Sequence, residues 1–388
     1  LTTEAAVTAN PNVRKSLWIR TGTLILQGQT SIPSLTEGAT AGPPNSDYYI
    51  PSNGALILDG PETFVLSTAD DYREINVAYG VSAPGNAAIG VTSGGYSSVG
   101  IFGKLQVNDG YLSTRESGGL ITSSVASGSF VINGGIIDSK QFLSSTGSAS
   151  FSQSGGTFIL RGRFQRTPVS YTSMSDLTDT TISSLNTSRV LNGISTGFGS
   201  FNLEQTTNIF TMTGGTIRIF DVCDVATGEA FDVKSSAANI SVSDGTLELI
   251  PTSGTVLADV TNYNVTTTAS LGNVLIDRIS GTAAVRLTTA YPLVVLNDLT
   301  INSGDFNANA QNVSIGGDYF IASGTSYTTG ANTTIFNGSG AQTFTVNLGG
   351  ALSLNNLTIT KSAGDVLSMS GTQSAIIVSG VFNLTTGT

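Results

Sequence analysis

Carboxylates and arginines are the side chains that could do chemistry here, because the chain contains no histidine and one cysteine, Cys223. Without histidine there is no histidine base, no histidine-activated nucleophile and no histidine metal ligand. A single cysteine forbids an internal disulfide and a thiolate zinc cluster. We therefore interpret Cys223 as a buried structural thiol.

Two acidic clusters offer oxygen ligands of the kind that calcium prefers. Their members are Asp70, Asp71 and Glu74 in the first cluster and Asp221, Asp224, Glu229 and Asp232 in the second. Neither cluster has the spacing of a calcium-binding loop or of the glycine-aspartate nonapeptide of calcium-binding β-rolls. We interpret them as solvated loop carboxylates and predict no metal ion and no cofactor.

Paired carboxylates also hydrolyse glycosides, and several β-helix enzymes cleave polysaccharides in this way. Asp221 and Asp224 are the pair that best fits such a site. These enzymes need a substrate groove with aromatic and basic residues, whereas 7% of this chain is aromatic and its positive charges are scattered. The sequence therefore favours a protein that is not an enzyme.

The one basic cluster comprises Arg161, Arg163 and Arg166, which lie beside Phe164. Guanidinium groups form paired hydrogen bonds with anionic oxygens, so this cluster could contact an anionic glycan. A solvated loop with Phe164 turned inward is the alternative, and we favour it. The three arginines remain the single candidate for a glycan contact.

Composition excludes several classes of protein. The 388 residues include 46 glycines, 39% hydrophobic residues and 11% charged residues, and the mean hydropathy is +0.17. Disordered chains show the opposite balance, and glycine lacks the period of collagen. No apolar run approaches the roughly 18 residues of a membrane span, so no membrane insertion is predicted. A net charge of −10 disfavours nucleic acid, whose phosphates would be repelled.

A recurrent glycine corner is the main structural signal. Alternating runs flank Gly-Gly or Asp-Gly, as in Phe210-Thr-Met-Thr-Gly-Gly-Thr-Ile-Arg-Ile219. The apolar residues that would face the core are five positions apart across the glycines, from Met212 to Ile217. In a straight strand, residues that face the same side are an even number of positions apart. The odd step lets both strands face one core if a glycine with positive φ turns the chain. The same step links Ile19 to Leu24, Val107 to Leu112, Ile132 to Ile137, Val242 to Leu247, Ile301 to Phe306, and Ile315 to Phe320.

The corner recurs along the chain as a solenoid repeat would. We assign it to Gly22, Gly110, Gly135, Gly156, Gly215, Gly245 and Gly304. A hairpin could explain any single copy. The array, together with the lack of helical periodicity, predicts an all-β parallel β-helix (a β-solenoid) that forms a single elongated rod with an irregular N-terminal part. Roughly 15 to 18 coils would give a rod of roughly 70–85 Å.

Three stretches differ along the predicted rod. Residues 1–60 are expected to form irregular N-terminal coils with proline-rich loops. Residues 61–270 are expected to form a β-helix with Gly-Gly corners and an insertion near 163–200, where the pattern breaks. Residues 271–388 continue the solenoid with asparagine-rich strand repeats. They end within a strand-like pattern, which we interpret as truncation of a longer chain.

The C-terminal repeats resemble a known group of proteins. Three successive motifs carry the likeness: Val313-Ser-Ile-Gly-Gly-Asp-Tyr-Phe320, Thr334-Ile-Phe-Asn-Gly-Ser-Gly-Ala-Gln-Thr-Phe344 and Leu354-Asn-Asn-Leu-Thr-Ile-Thr-Lys361. Their order resembles the strand repeats of very large, adhesin-like β-solenoid surface proteins of Bacteroidota. Many of those proteins are exported by type IX secretion, and some are linked to gliding motility. The resemblance is closest over 270–388, extends to the Gly-Gly corners of 100–250, and implies an extracellular location without transferring any catalytic residue.

We therefore expect a non-enzymatic, extracellular structural or adhesive β-solenoid, the stalk or filament segment of a bacterial cell-surface adhesin. Its expected partners are extracellular or cell-surface glycans and surfaces, further domains of a longer chain, or other copies of itself. Two alternatives stay open. One is a carbohydrate-active or glycan-binding β-helix of the lyase, hydrolase or tailspike kind, with carboxylates in an exposed groove. The other is a self-assembling surface filament subunit, with Leu1 and Thr388 in contact between copies.

Overall fold

The computed structural model is a stack of parallel β-strands. Statements about structure concern the residues it describes, which are 17–19, 21–28, 30–33, 48–60, 63–66, 99–113, 120–122, 128–139, 141–144, 148–162, 164–165, 188–189, 199–223, 227–250, 262–277 and 283–386. Within these residues the chain winds repeatedly around one axis. We call each winding a coil, and a complete coil has three strands.

The strands follow one another in a regular cycle. Coils one to five comprise β1 (Leu17–Trp18), β2 (Gly22–Leu26), β3 (Thr30–Pro33), β4 (Tyr48–Ile50), β5 (Gly54–Leu58), β6 (Thr63–Leu66), β7 (Val99–Ile101), β8 (Lys104–Val107), β9 (Tyr111–Ser113), β10 (Leu120–Thr122), β11 (Ser129–Ile132), β12 (Ile136–Ser139), β13 (Phe142–Ser144), β14 (Ser150–Gln153) and β15 (Thr157–Leu160). A short antiparallel pair, β16 (Phe164–Gln165) and β17 (Ser188–Arg189), forms a sheet of its own.

The later coils follow the same cycle with some longer strands. Coils six to nine comprise β18 (Phe201–Leu203), β19 (Ile209–Ile219), β20 (Glu229–Val233), β21 (Ile240–Leu249), β22 (Asn262–Thr267), β23 (Asn273–Ile276), β24 (Ala284–Leu287), β25 (Leu293–Val295) and β26 (Leu299–Ile301). Coils ten to thirteen comprise β27 (Asp305–Asn307), β28 (Val313–Ile315), β29 (Tyr319–Ile321), β30 (Ser326–Thr328), β31 (Thr333–Phe336), β32 (Gln342–Val346), β33 (Ala351–Leu354), β34 (Asn356–Thr360), β35 (Leu367–Gly371), β36 (Ala375–Val378) and β37 (Phe382–Thr386). One 3₁₀ turn, Ala237–Asn239, precedes β21.

The first face of the rod is an eleven-stranded sheet with the order β1-β4-β7-β10-β13-β18-β20-β22-β24-β27-β30. β33 and β36 form a two-stranded sheet and take the same place in the last two coils, so the described chain makes thirteen coils. At ~4.8 Å per coil the rod is about 60 Å long, shorter than predicted. The reason is that coils separated in sequence by 67–98 and by 163–200 pair directly with each other.

The second and third faces share a seventeen-stranded sheet, because β19 and β21 run through the corner between them. Beyond β21 the second face continues as β25-β28-β31-β34-β37, reached through a bridge between Leu271 and Val295. Parallel pairing links every coil to the next, including the first two coils within 17–66. The prediction of an all-β parallel β-helix is confirmed.

One hydrophobic core runs along the axis, because alternate strand residues point inward on all three faces. Phenylalanines dominate its middle. The centroid of the Phe201 ring lies 5.0–5.2 Å from those of Phe142 and Phe151 in the preceding coil and of Phe231 in the following coil. Aromatic pairs at this separation stabilise a core beyond the area they bury.

All seven corner glycines have positive φ, between 66° and 97°. Those at one corner column, between the second and third faces, are Gly110, Gly135, Gly156, Gly215 and Gly245. A Cβ on Gly135 would lie 2.6 Å from the Gly110 carbonyl oxygen, and that oxygen accepts a hydrogen bond from Ile136 N at 2.9 Å. Close stacking and backbone conformation therefore both require glycine there.

Gly22 and Gly304 lie at other corners, which corrects the assignment of all seven to one series. Gly22 opens β2, where the first face meets the second, and Gly304 precedes β27, where the third face meets the first. Every corner of a three-sided coil must redirect the chain towards the same core, so the same phase shift arises at each. Both members of the pair are buried in Val107/Leu112, Ile132/Ile137, Met212/Ile217 and Ile301/Phe306.

The predicted five-residue step is wrong at one pair, Ile315 and Phe320. Tyr319 is fully buried and Phe320 is only half-buried, so the step there is four residues. In this coil a side chain stabilises the corner. Asp298 Oδ1, from the preceding coil, accepts a hydrogen bond from Asp318 N at 2.7 Å. This bond holds a corner with a four-residue step, one residue shorter than the step at the glycine corners.

Candidate functional site

Arg161, the first residue of the predicted glycan contact, is fully buried. Its Nη2 donates a hydrogen bond to Asp138 Oδ2 at 2.7 Å, and its Nε pairs with Asp138 Oδ1. Tyr111 Oη donates to the same Oδ2 at 3.2 Å, and the guanidinium carbon lies 5.4 Å from the Phe220 ring centroid. A buried charge needs such partners. Arg161 is therefore neither a glycan contact nor part of the solvated loop that we favoured, because it is fully buried and paired with Asp138 of the preceding coil.

Several candidate residues lie outside the described residues. They are Asp70, Asp71, Glu74, Arg163, Arg166 and Asp224. Asp221 is described and fully buried, and its backbone carbonyl oxygen accepts a hydrogen bond from Ser200 Oγ at 2.6 Å. Cys223 is also buried, with its Sγ 3.6 Å from the same hydroxyl. Asp221 therefore does not lie on the exposed face that the predicted carboxylate pair requires.

The structure assembles a different group of charges, which we call the first-face cluster: Glu204, Glu229, Asp232 and Lys234. β18 and β20 pair in parallel with Asn202 opposite Asp232. Phe231 and Val233 point into the core, so Asp232 points away from it. Asp232 is nevertheless only 3% exposed. A buried polar side chain on the outer side of a sheet marks an enclosed polar site.

Lys234 joins two carboxylates of the first-face cluster. Its Nζ donates to Asp232 Oδ2 at 2.9 Å and lies 3.5 Å from Glu204 Oε1. Asn202 Nδ2 donates to the same Asp232 oxygen at 3.3 Å. Asp232 Oδ1 and Asn202 Oδ1 are buried and make no hydrogen bond with the described chain. These two acceptor oxygens therefore have no hydrogen-bond donor among the described residues.

The carboxyl groups of the first-face cluster titrate abnormally. Burial, together with the charge of Asp232, raises the pKa of Glu229 to about 7, against the hydrogen bond that Thr266 Oγ1 donates to Glu229 Oε2 at 3.1 Å. Burial also raises the pKa of Asp232, although Lys234 opposes this shift. Burial would lower the pKa of Lys234, but its bond to Asp232 raises that pKa overall. Glu229 therefore exchanges its proton near neutral pH.

This arrangement fits two kinds of chemistry. A carboxyl group with a pKa near 7 can act as a general acid or base, and enzymes obtain such values by burial and neighbouring charge. The same group can instead hydrogen-bond a neutral polar ligand such as a sugar hydroxyl. In the described part of the chain, no group of three or more histidine, cysteine, aspartate or glutamate residues could hold a metal ion.

The outer surface carries a ladder of polar side chains between coils. Asn108 Nδ2 donates to Asp59 Oδ1 at 2.8 Å, Asn133 Nδ2 donates to Asn108 Oδ1 at 2.8 Å, and Ser154 Oγ donates to Asn133 Oδ1 at 3.0 Å. These four residues come from four successive coils, and we call them the amide ladder. The hydrogen bonds from Asn108 and Gln27 lower the pKa of Asp59. The ladder stabilises the stack and presents amide and hydroxyl groups at a regular spacing.

Sequence reasoning named Glu229 and Asp232 as acidic residues but missed Glu204, Lys234 and Asn202. The alternation Asp232-Val233-Lys234 is a local signal that could have found Lys234, whereas Glu204 and Asn202 join the group only because β18 and β20 lie side by side. The interval between these strands does not follow from the spacing of the corner glycines.

None of the described residues belongs to a helix long and apolar enough to cross a membrane. No protein-family model, curated protein or solved structure matches the chain. The geometry of the rod and of the first-face cluster is therefore the basis for interpreting function.

Proposed function

We propose that this chain is a non-enzymatic structural or adhesive rod on a bacterial cell surface, the stalk or filament segment of an adhesin. The supporting observation is that parallel strand pairing links all thirteen coils over a single core. Such a stack gives length and stiffness, because each coil contacts only its neighbours and the core never divides. Reach and stiffness are what a stalk needs.

Adhesion in this proposal comes from weak polar contacts repeated along the rod. The amide ladder presents carboxamide and hydroxyl groups at the ~4.8 Å coil spacing. Glycans, with their many hydroxyls, are suitable partners for such groups. The likeness of the C-terminal repeats to Bacteroidota surface proteins adds the extracellular location, type IX export and a link to gliding motility as parts of the same proposal.

The test measures binding and cleavage with the same ligands. The chain is incubated with a panel of neutral and acidic polysaccharides, and its retention and the polymer length are both recorded. We expect weak binding that falls when Asn108 and Asn133 are replaced by alanine, with no change in polymer length. A matched control replaces Asn347, an asparagine outside the amide ladder. Binding equally strong in the ladder variant would contradict adhesion through the ladder, and shortened polymers would contradict the non-enzymatic assignment.

A second candidate function is favoured by one observation, the pKa of about 7 for Glu229 beside Asp232. In this alternative the first-face cluster binds or cleaves a carbohydrate, with Glu229 transferring a proton to or from the substrate. Glu229→Gln would then abolish cleavage. The control Asp244→Asn, which changes an exposed carboxylate at the corner between the second and third faces, would leave cleavage unchanged. If neither the wild-type chain nor any variant shortens a polysaccharide of the panel, this candidate is discarded.

A further inference from the structure

The first-face cluster places three carboxyl groups around one ammonium group. Among the described groups, Lys234 is the one cation whose charge acts on Glu229 and Asp232, whereas a neighbouring carboxylate also acts on each of them. Lys234 Nζ already donates to Asp232 Oδ2 and lies near Glu204 Oε1. Ionisation of the carboxyl groups therefore leaves the cluster with a net negative charge and with less positive charge than it can hold.

Two buried oxygens of this group accept no hydrogen bond. They are Asp232 Oδ1 and Asn202 Oδ1, although Asp232 is 3% exposed and Asn202 is fully buried. The two residues lie opposite each other in β18 and β20, on the outer side of the first face. Because a buried acceptor without a donor is costly, these oxygens require a donor that the described chain does not supply.

The rim of the cluster is open to solvent. The side chains of Lys234 and Glu204 are 31% and 30% exposed. Lys234 has a flexible four-carbon stem, so its ammonium group can shift towards Glu204 and uncover Asp232. A ligand can therefore reach the buried carboxylate from the surface of the first face.

Neutral polar groups continue the first face beside the cluster. Asn264 lies opposite Glu229 in β22, and Thr266 Oγ1 lies 2.8 Å from Thr288 Oγ1 of the following coil. Hydroxyl and carboxamide groups can both donate and accept hydrogen bonds. They suit the hydroxyl groups of a sugar ring that extends from the cluster along the face.

We infer that the first-face cluster binds the ammonium group of an amino sugar, which donates hydrogen bonds to Asp232 Oδ1 and Asn202 Oδ1. An ammonium group supplies both the missing donors and the missing positive charge, whereas a hydroxyl group supplies a donor alone. Hydrogen bonds between charged partners are roughly twice as strong as those between neutral ones. Lys234 shows that an ammonium group fits against this carboxylate, at 2.9 Å. The inference rests on the carbohydrate site of the second candidate function and names its ligand, but it requires no cleavage.

The test compares two oligosaccharides of equal length, one of glucosamine and one of N-acetylglucosamine. Each is titrated into the 388-residue chain in a calorimeter at about pH 7, where an amine of this kind is largely protonated. We expect the glucosamine oligomer to bind at least about tenfold more tightly, because acetylation removes the charge. Asp232→Asn should weaken this binding at least about tenfold. The matched control Asp244→Asn removes the same charge from an exposed corner and should change the binding less than about twofold.

Hydrogen exchange of the wild-type chain locates the ligand without any substitution, and so decides the case in which Asp232→Asn does not fold. Amides of β18, β20 and β22 should gain protection with the glucosamine oligomer, whereas amides of β27 and β30, on the same face, should not. Equal binding of the two oligosaccharides, equal effects of the two variants, or protection only outside β18, β20 and β22 would each overturn the inference. Equally tight binding of a lysine oligomer with the same charge would overturn the assignment to a sugar.

Binding and cleavage separate this inference from the function on which it rests. Binding of the glucosamine oligomer without shortening it would support the inference and discard catalysis at Glu229. Cleavage of a polysaccharide without any preference for the ammonium group would overturn the inference and leave the second candidate function in place.

Discussion

Replacing Asp138 by asparagine should destabilise the fourth and fifth coils severely. The new amide would keep the shape of the side chain and an oxygen for the hydrogen bond from Tyr111, so the change removes mainly the negative charge. Arg161, which is 0% exposed, would then lose the carboxylate charge that lies against its guanidinium group. Removing one partner of a buried ion pair typically costs about 3–5 kcal/mol, and we expect a loss of that size.

Hydrogen exchange gives the most direct assay, because it reports the free energy of opening for each strand. Amides of β12 and β15 should lose protection in the Asp138→Asn variant, while amides of β29 and β32, far along the rod, should not. The double variant Asp138→Asn/Arg161→Met, which removes both charges, should recover most of the loss. A loss below about 1 kcal/mol in the single variant would refute the reasoning, since that is the value of a solvated surface pair.

Three further outcomes are expected. Gly135→Ala should destabilise the rod by more than about 1 kcal/mol in urea unfolding, and the control Gly349→Ala should destabilise it less. Both glycines have φ near +71°, but only at Gly135 would a Cβ meet the backbone of the preceding coil. The free energy of unfolding should fall as the pH rises from about 4.5 to about 7, because native Glu229 keeps a proton that the unfolded chain releases, and thermal melts of Glu229→Gln should lack this loss. Phe201→Ala should cost about 3–5 kcal/mol in the same unfolding assay, while Val366→Ala, at an exposed position, should stay within about 0.5 kcal/mol.

The rod could be predicted from the sequence because its rules are local. A glycine such as Gly135 sits between two alternating runs, and the odd step from Ile132 to Ile137 already indicates a corner or a hairpin. The alternation of strand residues and the conformational freedom of glycine both act within a few residues. The fold class therefore follows from the repetition of one short pattern along the chain.

The arrangement of the individual coils was harder to predict from the sequence. The exception at Tyr319 arises because a carboxylate from another coil, Asp298, holds the corner. The described residues make thirteen coils instead of the predicted 15 to 18, because the coils on either side of 67–98 and of 163–200 pair directly with each other. Both facts depend on which coil lies beside which, and glycine spacing alone does not determine that.

The candidate site was the least predictable part. Arg161 resembles a surface cation in the sequence, but its partner Asp138 lies in the neighbouring coil and the pair is buried. Lys234 and Glu204 likewise meet only through the register of β18 and β20. Charged groups in a solenoid are placed by stacking between coils, so their roles emerge only with the register of the strands.

Mechanical unfolding tests the central claim, that this chain is a continuous rod of stacked coils suited to a stalk. A single molecule is held by its two ends and pulled while its length is recorded. We predict a series of force peaks, each releasing roughly 20 to 30 residues, or about 7–10 nm of chain, because each coil is held mainly by its neighbours. A single peak that releases the whole described chain at once, or extension without peaks, would contradict the claim.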